Sequence, residues 1–452
     1  MNVLENFDFF LEFEKKTNIF FIKNDKGIYL WDIFRYWVRE RLSYYSNTIS
    51  NNSLRKKYSV LWLFKCFVVS LRHLYVFFMS RKIYDNLFFM ASRNQYDCGF
   101  IDQNAFDTYR LLCGQKNLLI ETWCHTKYRF YMDTPFLHSY FTMFAKLCCY
   151  YRLSKSDKNC IHEIYDLLKK NFSEISFSEQ CLYEVLKKFY RDVFLWTHII
   201  KKHRIKRVFL TQNGIQKAFF YVAEQLKVPL YEFQHGIIGR GHAAYSYPQI
   251  KSIEDYIYMP AKYLTLSDFW CNNLYYPSPS QSIGNNYFSK SVTKIANPNK
   301  ILVISADLFG KQLASILKES IIARKVNAAD LVFKLHPNQY FEKDYFVNFF
   351  DRNVSVLTDE KSVNELLAEA RCMVTVCSTA AYEALQANTR VLVYAISMYK
   401  EMELLFSDQN TFLFSTIEEL ERGMNAPLPA DYKPPVFFDK CTPEKIQAAI
   451  NE

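Results

Sequence analysis

Glycine and proline are scarce in this chain of 452 residues, with 10 and 13 copies. Collagen-like, low-complexity and disordered proteins are rich in one or both, so the scarcity argues against all three classes. Half of the residues are apolar and 17% are aromatic, which supplies ample material for buried cores. A chain of this length exceeds one ordinary core and predicts two domains with additional elements.

Paired cysteines and a secretion signal are also missing. The twelve cysteines include no CxxC pair and no Cys/His cluster with zinc spacing. The opening sequence MNVLENFDFFLEFEKK is acidic and aromatic, and it lacks the basic start and small-residue cleavage site of a signal peptide. We therefore expect reduced, mostly buried thiols and a cytoplasmic location.

One segment approaches the length of a membrane span. Residues 58–79 are long enough to cross a bilayer, but Lys65, Arg72 and His73 interrupt them. A charge near the centre of a span is costly. The pattern favours an amphipathic helix, either packed on the protein or lying on an anionic membrane surface. The second alternative would make the protein peripheral at the inner face of the cell membrane.

The charge balance is basic, with a formal net charge of +10. A surplus of this size favours anionic partners such as nucleotide phosphates, a nucleic acid or an anionic membrane. The basic residues form no patch interleaved with aromatic residues of the kinds that bind nucleic acids, so we expect no nucleic-acid partner.

Alternating strand and helix patterns divide the chain into three parts. Residues 1–85 predict a mainly helical N-terminal region, residues 86–290 a first α/β domain and residues 291–452 a second one. The polar stretch 272–299 separates the two α/β parts. We expect two Rossmann-like domains that face each other across a cleft, with ligands beyond the carboxyl ends of the strands.

Two short motifs at strand ends of the second domain suit the phosphates of a nucleotide. His336 and Pro337 end one predicted strand, while Ser378 and Thr379 follow another and open a helix. An imidazole, small hydroxyls and the N–H groups of a helix start can all donate to phosphate oxygens. Taken alone, each motif fits a turn or a helix cap about equally well.

Three further residues complete the predicted donor site. Lys334 shares a strand face with His336, and Ser305 follows the first strand of the second domain. Glu383 lies one turn into the helix, where it could accept hydrogen bonds from ribose hydroxyls or close a capping box.

The first domain presents a second set of polar residues after its strands. His235 ends one strand and is predicted to be the general base, although a histidine there could simply pack locally. The neighbouring glycines do not match GxGxxG, which excludes a dinucleotide fingerprint. Further cleft or acceptor contacts are predicted for Gln212, Asn213, Gln234, Gly236, Arg240 and His242.

Three motifs carry a resemblance to a known group. Residues 232–236 with Tyr245, residues 333–337 and residues 378–385 resemble GT-B fold glycosyltransferases of bacterial capsule and O-antigen polysaccharide assembly. The stretch 26–35 also resembles the start of proteins from such loci, and the likeness is best over residues 200–395.

The resemblance implies transfer of a sugar from a nucleotide-sugar donor to a growing glycan or a lipid-linked acceptor. It places His336, Ser378 and Thr379 on the donor phosphates, and it assigns the base of inverting members to the first domain. No cofactor beyond the donor is implied. Because no Asp-x-Asp motif follows a strand, we expect a metal-independent reaction.

Two alternatives remain. The order His-Gly, His-Pro and Ser also resembles polymerases that transfer glycerol phosphate from CDP-glycerol, and the His-Pro feature occurs in transferases that use CMP-sugars. The chain could instead be a non-catalytic assembly partner that docks on the membrane through residues 55–82.

Overall fold

The computed structural model describes residues 3–42, 79–92, 94–96, 99–122, 136–137, 151–172, 175–211, 213–295, 298–396 and 399–451. Gln212 and all but the last residue of the predicted amphipathic segment 58–79 lie outside these ranges. Within them, no helix combines the length and the apolar character needed to cross a bilayer.

The described N-terminal residues form two helices, α1 (Val3–Lys16) and α2 (Trp31–Leu42), with a short 3-10 turn between them. Phe7, Phe10 and Phe13 repeat at helical spacing along α1 and are almost fully buried. The rings of Phe10 and Phe13 pack about the indole of Trp31 on α2. The two helices join the largest hydrophobic cluster, which contains residues of both α/β domains, and are not a separate unit.

The first domain is built on a seven-stranded sheet with the order β5-β4-β1-β6-β7-β8-β9, and every pair in it is parallel. Its strands are β1 (Asn86–Met90), β4 (Asn117–Glu121), β5 (Phe136–Leu137), β6 (Arg207–Thr211), β7 (Leu230–Phe233), β8 (Lys262–Thr265) and β9 (Ser280–Ser282). A separate antiparallel pair consists of β2 (Asn94–Tyr96) and β3 (Gly99–Ile101).

Five described helices belong to the first domain: α3 (Phe106–Leu111), α4 (Lys155–Asn171), α5 (Glu179–Lys202), α6 (Lys217–Leu226) and α7 (Asp268–Asn272). Aromatic side chains join these helices to the sheet. Trp196 of α5 stacks on Phe219 of α6 at 3.8 Å between ring centroids, and Phe89 of β1 packs against both. Buried aromatic pairs of this kind contribute beyond their area alone.

The second domain is a six-stranded parallel sheet with the order β12-β11-β10-β13-β14-β15. Its strands are β10 (Lys300–Ile304), β11 (Leu331–Lys334), β12 (Ser355–Leu357), β13 (Ala370–Thr375), β14 (Arg390–Tyr394) and β15 (Thr411–Phe414). Its helices are α8 (Gly310–Ile322), α9 (Lys343–Phe349), α10 (Val363–Glu369), α11 (Ala380–Gln386) and α12 (Ile417–Asn425). The predicted fold class, two Rossmann-like α/β domains with a helical N-terminal region, is confirmed.

The last helix, α13 (Pro443–Asn451), returns to the first domain, although the sequence pattern had assigned all of residues 291–452 to the second. Its Ile446 and Ile450 share a core with strands β1 and β7, and the hydroxyl of Tyr231 donates to the Ile450 carbonyl at 3.1 Å. Gly284 lies where the returning chain passes, with φ +76° and the Lys440 carbonyl beside it. A side chain there would be strained and would collide with that carbonyl.

Loops from the two domains meet beyond their sheets. After β7, the backbone at Gly239 lies so close to the second domain that an added Cβ would be 3.8 Å from both the Glu401 carbonyl oxygen and Leu404 Cδ1. Glu401 and Leu404 belong to the 3-10 segment Tyr399–Leu405, which follows β14. The carboxyl ends of both sheets therefore contribute to one inter-domain seam.

Candidate functional site

His336 follows β11 and begins a 3-10 helix, Pro337–Glu342, with Pro337 in its first position. Its Nδ1 accepts a hydrogen bond from the backbone N–H of Asn338 at 3.2 Å. Burial lowers the pKa of His336, so the imidazole is neutral at pH 7. A neutral imidazole that accepts at Nδ1 carries its proton on Nε2, which makes the other ring nitrogen a donor.

Ser378 and Thr379 lie between β13 and α11. The Ser378 hydroxyl accepts from the N–H of Ala380 at 3.3 Å, so it has the local role that a turn serine can have. Thr379 precedes the first residue of α11, and its side chain makes no cap hydrogen bond to the helix. Both hydroxyls can still donate a proton outward.

Glu383 is half-buried on α11 and does not close a capping box. Burial raises the pKa of its carboxyl to about 7. Within the described residues, its side chain makes no hydrogen bond. A half-buried carboxyl without a local partner is an acceptor available to a bound hydroxyl group.

Two predicted donor contacts are engaged inside the second domain. The Ser305 hydroxyl donates to Oε1 of Gln339 at 2.6 Å, which joins the end of β10 to the 3-10 helix after His336. The ammonium of Lys334 donates to the carbonyls of Thr358 and Lys361 at 2.6 and 2.8 Å. These contacts make both residues structural supports of the His336 turn.

His235 follows β7 and contacts a buried hydroxyl. Its Nδ1 lies 3.2 Å from the hydroxyl of Tyr245, which in turn donates to Oε1 of Glu232 at 2.8 Å. Tyr245 and Glu232 are fully buried, whereas His235 is half-buried. The predicted base is thus connected to a carboxyl group through one tyrosine.

The other residues of this loop hold its shape. The amide of Gln234 donates to the Gly236 carbonyl at 2.8 Å and accepts from the N–H of Leu266 at 3.1 Å, so this buried side chain braces the loop and does not reach into a cleft. His242 accepts from the N–H of Ala244 at Nδ1, and burial lowers its pKa to about 3.

Two remaining predicted contacts lie farther along the first domain. Asn213 begins a 3-10 turn after β6, and the next residue, Gly214, lies directly against the ring of Tyr36. Arg240 forms an exposed ion pair with Asp8 of α1 at 2.6 Å. Both side chains of that pair line a cavity of about 630 Å³ between α1 and the loop after β7.

Several groups at the inter-domain seam were not predicted. The thiol of Cys377, which precedes Ser378, lies 3.5 Å from Oε2 of Glu401. Burial raises the pKa of Glu401 to about 7. Burial, together with Glu40 and Glu401, raises the pKa of Tyr36 on α2 to about 12. The helical N-terminal region therefore reaches the same seam as the strand ends of both domains.

A buried ion pair joins the N-terminal helices to the His235 loop. Arg35 donates to both carboxylate oxygens of Glu14, at 2.7 and 2.9 Å, and the two side chains are 2% and 0% exposed. The same guanidinium donates to the carbonyl of Ala243 and, at 2.6 Å, to that of Ser246. These carbonyls flank Tyr245, so α1 and α2 fix the backbone that presents its hydroxyl.

A second buried pair lies beside the first. The Lys217 ammonium is 2.8 Å from Oδ2 of Asp32 on α2, and Tyr247 donates to Oδ1 of the same carboxylate at 2.9 Å. Burial lowers the pKa of Lys217, while the Asp32 and Glu232 charges oppose that shift. Among the described residues, no group of three or more His, Cys, Asp or Glu side chains converges as a metal site would require.

Comparison with known proteins finds one family model that matches part of the chain. No curated protein matches this sequence. Similar solved structures include the UDP-GlcNAc 2-epimerase of Methanocaldococcus jannaschii, with 13% identity, coverage of 81% of this chain and 99% of that one, and a TM-score of 0.46. The MurG structure of Acinetobacter baumannii has 11% identity, 75% and 89% coverage and a TM-score of 0.42. Similarity at this level says nothing about activity.

The family comparison is more specific. Residues 305–420, which hold every predicted donor contact, match the family model described as capsule polysaccharide biosynthesis protein. The resemblance predicted from the short motifs to proteins of capsule polysaccharide biosynthesis is therefore supported over these residues.

Proposed function

We propose that the protein is a glycosyltransferase that moves a sugar from a nucleotide-sugar donor to a growing cell-surface polysaccharide or lipid-linked glycan. The proposal rests chiefly on two histidines with opposite hydrogen-bonding roles. His336 accepts a backbone N–H at Nδ1 and so carries its proton on Nε2. His235 has its Nδ1 beside a hydroxyl whose own proton is directed to a carboxyl group, so that its Nε2 carries the lone pair.

The proposed binding site for the nucleotide sugar follows from the hydrogen-bonding groups of the second domain. His336 follows β11, and Ser378 and Thr379 follow β13, on either side of β10 in the same sheet. Their N–H and O–H donors suit a departing nucleotide diphosphate or monophosphate. Glu383, as a half-buried acceptor, suits the ribose hydroxyls. Donors of this kind neutralise the leaving group with hydrogen bonds, so the proposed reaction requires no metal ion.

The acceptor side depends on His235. Its Nε2 would take the proton of the attacking hydroxyl group as the new glycosidic bond forms on the face opposite the leaving nucleotide, which inverts the configuration. A base that acts in this way contributes about 10²–10⁴-fold to the rate. The loop contact between Gly239 and the Tyr399–Leu405 segment brings the His235 loop against the donor domain.

The first experiment identifies the donor class. A thermal-shift screen against UDP, CMP, CDP, GDP and dTDP should give stabilisation by one nucleotide, because a ligand that binds only the native state raises its stability by mass action. Stabilisation by CDP together with transfer of glycerol phosphate would replace the sugar-transfer proposal with the glycerophosphotransferase alternative. Vesicle binding without transfer from any donor would favour a non-catalytic assembly partner.

Two substitutions then test the assigned roles. His235→Ala should lower kcat by about 10²–10⁴-fold and leave nucleotide affinity unchanged. His336→Ala should weaken nucleotide affinity by about 10-fold to 100-fold in calorimetry, because one hydrogen bond to a charged oxygen is lost. His162→Ala is the matched control, since His162 is exposed on α4 and pairs with Asp166 and Glu179 on the protein surface. Normal turnover by His235→Ala would exclude it as the base.

A further inference from the structure

The cluster behind His235 has a feature that the base assignment does not use. The Tyr245 hydroxyl and the Glu232 carboxyl group are both at 0% exposure, and they lie in line behind the imidazole. Burying a carboxyl group and a phenol together is costly unless each is hydrogen-bonded. Their position directly behind the candidate base suits a role beyond packing.

The contact between Tyr245 and Glu232 suggests how the protons of these three groups are arranged. A phenol has a single proton, and at 2.8 Å that proton is directed to Glu232 Oε1. The Tyr245 oxygen is then an acceptor toward His235, whose Nδ1 lies 3.2 Å away and must carry a hydrogen to donate. A neutral imidazole with its proton on Nδ1 has its lone pair on Nε2, which is the form that a general base needs.

A buried cation, the Lys217 ammonium, lies near Glu232. The Lys217 ammonium is close enough that the negative charge of Glu232 raises the pKa of Lys217 against the effect of burial. Lys217 is therefore a cation that can attract the Glu232 carboxyl group within the same buried core. The direction of the Tyr245 proton rests on the 2.8 Å contact between its hydroxyl and Glu232 Oε1.

The surrounding backbone is rigidly held. Arg35 donates to the carbonyls on both sides of Tyr245, those of Ala243 and Ser246. The His242 imidazole accepts from the N–H of Ala244, and its ring packs 4.7 Å from that of Tyr245. The hydroxyl is therefore presented from a backbone that is fixed at both ends.

We propose that Glu232 and Tyr245 are positioning residues that hold His235 in the tautomer with its proton on Nδ1 and stabilise the imidazolium formed during transfer. In that step the acceptor hydroxyl loses its proton to His235 Nε2 as its oxygen bonds to the sugar carbon and the nucleotide departs with the bonding electrons. The negative charge of Glu232 acts on the imidazolium through the Tyr245 hydroxyl, and no second proton moves. The proposal rests on the proposed function, since it assigns a partner to the same base.

The direct test is spectroscopic and does not need a substrate. The chain has nine histidines, so selective ¹⁵N-histidine labelling gives a tractable spectrum in which His235 is assigned by its loss in His235→Ala. The native protein should show Nδ1 protonated and Nε2 unprotonated. Tyr245→Phe removes the hydroxyl that contacts His235 Nδ1, so the preference for the tautomer protonated on Nδ1 should disappear. Glu232→Gln, which keeps the shape of the side chain, should weaken it.

Tyr247→Phe is the matched control. Tyr247 lies two residues farther on and is also buried, but its hydroxyl donates to Asp32. It should leave the His235 signals unchanged. An unchanged His235 tautomer in both Tyr245→Phe and Glu232→Gln, with the fold intact by circular dichroism, would overturn the proposal.

Kinetics separates this proposal from the proposed function. With the donor identified, Tyr245→Phe should lower kcat by about 10-fold to 100-fold with an unchanged KM for the donor, because only the base is affected. Equal kcat in Tyr245→Phe and the native protein would also reject the positioning role of Tyr245 and Glu232. If the native protein transfers no group from any nucleotide donor, the proposed function fails, while the ¹⁵N spectra still decide whether Glu232 and Tyr245 set the tautomer.

Discussion

The buried Glu14–Arg35 pair offers the sharpest test of how the N-terminal helices serve the site. Glu14→Gln keeps the volume of the side chain but leaves the Arg35 guanidinium, 2% exposed, without its counter-charge. Removing one partner from a buried ion pair typically costs about 3–5 kcal/mol. That is a large share of the roughly 5–15 kcal/mol that stabilises an ordinary domain.

The measurement can be confined to the correct part of the molecule. All six tryptophans lie at or before Trp270, so tryptophan fluorescence follows unfolding of the N-terminal region and the first domain. In urea titrations, Glu14→Gln should lower the free energy of unfolding by about 3–5 kcal/mol. Glu184→Gln is the control: its pair with Lys187 is exposed, and its loss should cost less than about 1 kcal/mol.

A double-mutant cycle distinguishes the pair from the separate bonds of each residue. Arg35 also donates to Ala243 and Ser246, so Arg35→Met loses contacts that Glu14→Gln retains. The coupling energy between the two substitutions should nevertheless be at least about 2 kcal/mol, because contacting charges couple strongly. A cost below about 1 kcal/mol for Glu14→Gln, or additive effects in the double variant, would refute the inference that this pair anchors the His235 loop.

Three other predictions follow from the same structure. Gly284→Ala should destabilise the protein by about 1–3 kcal/mol in urea titrations, because φ is +76° and the Lys440 carbonyl blocks a side chain, whereas Gly114→Ala, with open space around it, should be near neutral. Glu383 keeps its proton up to about pH 7 in the folded state and only to about pH 4.5 when unfolded. The free energy of unfolding should therefore fall, by at most on the order of 3 kcal/mol in total, as pH rises between those values. Glu383→Gln should remove this fall; an unchanged pH dependence in that variant would contradict the raised pKa. If a ribose binds to ionised Glu383, nucleotide binding near pH 7 should release a proton, detected as a buffer-dependent enthalpy that Glu383→Gln abolishes.

The second domain was predictable because its strands are buried on both faces. Strands β10, β13 and β14 lie side by side in a parallel sheet, and each contains a run of three or four apolar residues after a charged one. Helix α10 (Val363–Glu369) likewise has a local start signal in the sequence, the capping box formed by Ser362 and Glu365. Local signals are sufficient in this part of the chain.

Edge strands had no such signal. Strand β9 is only Ser280–Ser282, all half-buried, and it lay within the stretch predicted to be a polar linker. It is a strand because Tyr263, Leu264 and Thr265 of β8 pair with it. Pairing across the sheet, which the sequence does not display locally, therefore decided its conformation.

The site shows the same division between local and distant causes. The strand-end polar residues were singled out as a group from the sequence, and the contacts of each residue are ones that the spacing does not reveal. Lys334 was predicted to face the donor together with His336, yet its ammonium is held by Thr358 and Lys361, which follow the next strand. Glu232 could have been noticed, since a charged residue inside a fully buried strand calls for a partner.

The two halves of the site differ in how far along the chain their supports lie, and this difference has a functional consequence. His336 is oriented by Asn338, two residues away, whereas the backbone around Tyr245 is held by Arg35, more than two hundred residues earlier. Donor binding should therefore survive changes in the N-terminal helices, because its geometry is local to the second domain. Turnover should fall when those helices are changed, because the candidate base depends on them for its alignment. A variant such as Arg35→Met would then lower kcat with little change in nucleotide affinity, and an equal loss of both would indicate that the helices act only through global stability.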